Sequence, residues 1–238
     1  MKSTPAHWPS ASVGSDALES LRDGNPPNAL LTFARNAIGA GQHAWAIEYL
    51  RRGVDYLRYV TTSFPDVADT VQPRLDAVIH VLVHAGAAIG DEAALEHALP
   101  TPPSPAHVAG CAWKLLDAKH AEVAQRWFAR ARAFPMDEPL RTEHLLRFGV
   151  PELIAQKRAK MFDSAFAEQL VELATEVRAK LDSSDPNATM RKHEIEQLLR
   201  TAKKAVGSKS NVASPSPKQK PSPRSRQRVD RSKRHHNS

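Results

Sequence analysis

From Asn28 to Val206 the apolar residues of this 238-residue chain recur at three and four positions, and no stretch shows strand alternation bounded by hairpin turns. That spacing lines apolar side chains along one face of an α-helix, whereas a half-buried strand needs strict alternation. Ala, Leu, Arg and Glu, all good helix formers, make up much of the same stretch. The expected fold class is therefore all-α. Helices are expected at about 28–40, 44–62, 74–88, 91–98, 105–118, 121–134, 138–148, 151–162, 165–181 and 186–206. Gly41, Gly90, Pro135 and Gly149 supply stops, and Ser104-Pro105, Val150-Pro151 and Asp185-Pro186 place proline near a helix start. Residues 1–27, with Pro5, Pro9, Pro26 and Pro27, read as a mostly irregular arm in which a short helix starts after Ser15. The domain is then 28–206, with a possible sub-division at the proline-rich stretch near 99–105.

Residues 207–238 are of another kind. Val212, Ala213 and Val229 are their only apolar side chains, too few to offset the ordering entropy of roughly 1–2 kcal/mol per residue. A disordered basic tail is expected there. Lys203, Lys204, Lys209, Lys218, Lys220, Arg224, Arg226, Arg228, Arg231, Lys233 and Arg234 stand against the single acid Asp230, a net of +10 within a chain of +7. The body is thus mildly acidic, and the basic character belongs to its end. Clustered cations suit polyanions such as nucleic-acid phosphates, and those eleven residues form the candidate polyanion site. The tail holds no aromatic residue, so contact with nucleic acid should be phosphate-driven and weakly selective. Ser216-Pro217-Lys218-Gln219 and Ser222-Pro223-Arg224-Ser225 resemble the Ser-Pro-basic turns of linker-histone tails. The same runs resemble basic nuclear-import signals, which need only accessible Lys and Arg.

One cysteine, Cys111, excludes an intramolecular disulfide and suits a reducing compartment. No apolar run approaches the length of a membrane span, and the first residues lack the apolar core of a secretory signal. An intracellular protein is expected, cytoplasmic or, in a eukaryotic cell, nuclear.

Small and bulky residues recur at fixed offsets. Ala34, the turn Gly41, Ala46, Leu50 and Gly53 are matched by Ala112, Ala124, Phe128 and Ala131, and again by Ala155, Ala167, Val171 and Ala174. Ala or Gly where two helices cross, with a large side chain filling the groove beside them, is the logic of close helix packing. The pattern resembles the tetratricopeptide (TPR) repeat. That resemblance implies a stack of helical hairpins, a protein-interaction scaffold with a concave face that Arg35, Trp113 and Gln156 would line. An irregular helical bundle is the other architecture these helices allow, and Trp113 is expected in the core rather than on that face.

Chemical motifs are sparse. His80 and His84 are four apart, the spacing that sets two imidazoles on one helix face for a metal, but no zincin Glu adjoins His80 and no third ligand follows. No phosphate loop, dinucleotide fingerprint, nucleophile elbow or Cys-x-x-Cys pair is present. No catalytic residue, metal or cofactor is assigned. The expected function is a non-enzymatic scaffold or adaptor, its body binding another protein and its tail binding nucleic acid or another polyanion. The alternatives are a regulatory or effector-type protein whose tail is an import or docking signal, and an atypical helical metal-dependent enzyme.

Overall fold

The structure, a computed structural model, describes residues 11–23, 28–180 and 188–207. Among them are ten α-helices, one 3-10 turn (Pro65–Val67) and no strand. The helices are α1 Ala11–Arg22, α2 Asn28–Gly39, α3 His43–Ser63, α4 Ala68–Ile89, α5 Glu92–Ala98, α6 Pro105–Asp117, α7 Ala121–Arg132, α8 Glu138–Arg158, α9 Ser164–Lys180 and α10 Ala188–Gly207. The all-α expectation holds.

The helices form two layers. In one, α2, α4, α6, α8 and α10 each touch the next; in the other, α1, α3 and α5 do so. Side chains extend the second layer from α5 to α7: Arg126 donates to Glu92 at 2.5 Å, the Trp127 indole N–H donates to the other Glu92 oxygen at 2.9 Å, and Arg130 pairs with Glu96. Three of the contacts between helices share one sequence separation. Arg126–Glu92, Arg130–Glu96 and the Tyr56 hydroxyl on the Arg22 carbonyl each span 34 residues.

Four hairpins, α2–α3, α4–α5, α6–α7 and α8–α9, turn in the same way. Gly41, Gly90, Lys119 and Lys160 close the first helix of each with positive φ of 79°, 70°, 71° and 58°. The amide after each donates back into the helix, as from Gln42 to the Ala37 carbonyl and from His120 to the Leu115 carbonyl. This is the αL closure that satisfies the orphan carbonyls of a helix end. Helix starts are capped by side chains: Asp91 accepts from the Ala94 amide at 3.0 Å, Ser104 from His107 at 3.3 Å and Asp137 from Leu140 at 3.1 Å.

Three of the expected boundaries move. α1 begins at Ala11, ahead of Ser15, and its first turn already packs tightly: a Cβ on Gly14 would lie 2.7 Å from the Tyr49 ring of α3 and 2.8 Å from Phe33 of α2. α4 starts at Ala68 and carries Pro73 inside it. The two helices expected at 138–148 and 151–162 are a single helix, α8, that runs through Gly149 and Pro151. A proline inside a helix sacrifices a hydrogen bond, but burial on both sides outweighs that loss here. Pro151 is itself buried, and a side chain at Gly149 would meet Leu170 at 2.7 Å.

The small residues of the sequence pattern are buried where helices cross. Ala34, Ala46, Leu50, Ala112, Ala124, Phe128, Ala131, Ala155, Ala167 and Ala174 are fully buried, and Gly53 lets Leu30 approach so closely that a Cβ would lie 2.4 Å from it. Val171 is half-buried. Ala34, Gly41 and Ala46 lie 78 residues before Ala112, Lys119 and Ala124, so the first and third hairpins share the register of their turn as well as of their crossing residues.

Candidate binding groove and basic C-terminal helix

α6 and α8, neighbours in the even-numbered layer, leave between them an open groove of about 550 Å³. Ala106, Gly110, Trp113 and Asp117 recur at three or four and so share one stripe of α6; His107 and Lys114 flank it, and Arg147 and Phe148 come from α8. Trp113 is 42% exposed. Its ring meets that of Phe148 edge to face at 6.3 Å, and the Arg147 guanidinium lies 5.2 Å over Phe148. A Cβ on Gly110 would meet nothing within 4 Å, so the floor of the groove is open. Lys114 and Arg147 carry no ion pair among the described residues, which leaves a cationic rim against the single carboxylate of Asp117. His84 of α4 lies within electrostatic range; burial, then Lys114 and His80, favour its neutral form, and Asp117 opposes them.

The three residues expected to line one concave face are not alike. Arg35 is exposed on α2 and Trp113 is exposed in the groove, so the indole is not core. Gln156 is 1% exposed and cannot meet a partner. It belongs to a buried polar cluster: its Nε2 donates to Glu152 at 3.4 Å, and its Oε1 accepts from the Asp163 amide at 3.1 Å. Arg132 reaches Glu152 at 3.5 Å and lies 4.3 Å over the Phe166 ring. Burial pushes the Glu152 carboxyl up to about 7 against the opposing pull of Arg132 and Gln156.

His80 and His84 face each other at 4.8 Å between ring centroids, both exposed. Among the described residues no group of three or more His, Cys, Asp or Glu side chains is placed to hold a metal ion. Cys111 is buried; desolvation, aided by Glu96, raises its thiol to about 12, as a packed side chain requires.

Of the candidate polyanion residues, Lys203 and Lys204 lie exposed on α10, with Arg191, Lys192 and Arg200 on the same helix. Lys209, Lys218, Lys220, Arg224, Arg226, Arg228, Arg231, Lys233 and Arg234 fall outside the described residues, as do residues 1–10 of the expected arm. No described helix is long and apolar enough to cross a membrane.

Sequence reasoning missed one surface feature. Tyr59 and Phe64, edge to face at 6.5 Å, are 61% and 54% exposed at the end of α3, with Val67 beside them in sequence at 43%. Their spacing carries no motif, and only the placement of α3 against α4 reveals that nothing in the described chain covers them.

The chain was compared with protein-family models, curated proteins and solved structures, and none matches.

Proposed function

We propose that this chain is a non-enzymatic helical adaptor whose body docks another protein and whose basic end contacts nucleic acid or another polyanion. One observation carries the protein-binding half: the exposed Tyr59–Phe64 pair. Large aromatic side chains left together on a surface, next to polar residues, are the usual anchors of protein interfaces. Arg35 is likewise exposed, on α2. The repeated hairpins, with their 34-residue contacts and common turn, support a TPR-like stack as the platform. The polyanion half rests on the net +10 of the eleven cations from Lys203 onward.

The test is one pull-down with nuclease-treated extracts, using the wild type, Tyr59→Ala/Phe64→Ala and a chain ending at Gly207. The double variant should lose the captured protein while keeping its heparin and DNA retention. The shortened chain should show the reverse. With about six phosphate contacts, DNA affinity of the full chain should fall with a log–log salt slope near −5. Equal capture by the double variant would remove the docking face, and undiminished DNA retention by the shortened chain would remove the electrostatic end.

A further inference from the structure

We propose that the α6–α8 groove is a base-stacking platform for single-stranded nucleic acid, with Trp113 as the stacking ring and Lys114 and Arg147 as phosphate contacts. The inference rests on the polyanion reading of the basic end and names the class of polyanion. Single-strand sites combine a cationic track for the backbone with an aromatic face for the bases. The C-terminal tail supplies charge and no aromatic residue. The groove supplies the missing part. Its indole is exposed by 42% and braced by the edge-to-face contact with Phe148 at 6.3 Å. The absent side chain at Gly110 leaves open space one turn away from Trp113, where a flat ring can enter.

Charge and connection favour the same ligand. Lys114 and Arg147 are two cations without ion pairs among the described residues, with His107 beside them and only Asp117 opposed. α8, one wall of the groove, packs against α10, and the basic segment continues from the end of α10 at Gly207. The 31 residues from 208 to 238 span up to about 100 Å when fully extended, so reach does not limit joint contact with one strand. A duplex hides its base faces in the stack, whereas a single strand offers them to an aromatic ring. The groove should therefore add a preference for single strands to the indifferent attraction of the tail.

The experiment is fluorescence anisotropy with a labelled 20-nucleotide single strand and the corresponding duplex, on the full chain and its W113A, W113F and K114Q/R147Q variants. Trp113→Ala should weaken single-strand binding about tenfold and leave duplex binding unchanged, because stacking contributes to the single strand alone. Trp113→Phe should restore most of the loss, which a merely structural defect would not explain. Lys114→Gln/Arg147→Gln should flatten the single-strand salt slope by about 1.4, the share of two phosphates. Single-strand binding by Trp113→Ala equal to wild type overturns the groove assignment and leaves the tail reading standing. No binding of either oligonucleotide by the full chain overturns both. Trp113-dependent binding of a Glu-rich peptide, with oligonucleotide binding unmoved, would assign the groove to a protein segment and likewise overturn the proposal.

Discussion

Glu152, on α8 and 2% exposed, holds a carboxyl in a place that disfavours its charge. Its proton affinity in the fold exceeds that in the unfolded chain, so the native state binds the extra proton. Stability from this group is therefore full below the ordinary pKa of 4.5 and is lost as pH rises towards about 7. At about 1.4 kcal/mol per pKa unit the loss approaches 3 kcal/mol by neutral pH. His144, buried and beside Arg132, works the other way: its pKa is lowered, so its contribution is lost as pH falls below 6.5. Glu152→Gln keeps the shape and the Gln156 contact while removing the titration. Urea denaturation should show the variant more stable than wild type at pH 8, by up to about 3 kcal/mol, and nearly equal at pH 4. A less stable variant at pH 8 would show that the Arg132 ion pair outweighs desolvation. None of this was legible in the sequence, where Gln156 resembled a face residue; its burial depends on Arg132 and Asp163 arriving from α7 and from the α8–α9 turn. Trp113 departs in the opposite direction: an apolar helix position reads as core, yet the indole lies 42% exposed, in edge-to-face contact with Phe148.

Most of the helices were legible because their apolar spacing is regular; their punctuation was less so. Glycine marked the turns after α2 and α4, but Lys119 and Lys160 take the same left-handed conformation with no sequence signal. Only the tertiary stack, which holds α7 on α6 and α9 on α8, imposes that geometry on a lysine. The left-handed region costs a residue with a side chain roughly 1–2 kcal/mol, and glycine avoids this cost. Gly41 offers a clean measurement, since a Cβ there would meet nothing within 4 Å and only backbone strain is introduced. Gly41→Ala should lower unfolding stability by about 1 kcal/mol, and Lys119→Gly should raise it by a few tenths, because the flexible unfolded chain offsets part of the gain. Denaturation midpoints with unchanged slopes would report both. A Gly41→Ala chain as stable as wild type would mean that the turn relaxes and is not held by the stack. α8 makes the same point about elements: Gly149 and Pro151 read as a break, yet a helix packed on two sides ran through them.

At the largest scale the buried apolar side chains of the described residues gather into three clusters, and the clusters interlock along the chain. The first draws on α1 to α5, the second takes Ala87, Leu95 and Leu99 together with α6, α7 and Phe148 and Ala155 of α8, and the third joins α8, α9 and α10. α5 therefore divides its side chains, with Ala94 and Ala98 in the first cluster and Leu95 in the second. The proline-rich stretch near 99–105 is a possible sub-division in sequence, and Ala87 and Leu95 ahead of it share the second cluster with α6 and α7 beyond it. Arg58 adds a polar tie, donating to the His97 and Leu99 carbonyls at 2.8 and 2.7 Å. A nearest-neighbour array of this kind unfolds as one unit only if such interfaces are strong. Two tryptophans report on the two sides, Trp45 packed against the first cluster and Trp127 within the second. In chains that retain one or the other, with the remaining tryptophans replaced by Phe, the urea midpoints should coincide. Leu95→Ala, at a site with no exposed surface, should lower both midpoints together, at a cost of about 2–5 kcal/mol. A Trp127 transition that moves while Trp45 stays would divide the body after α5, because a cavity in the second cluster would then leave the first untouched.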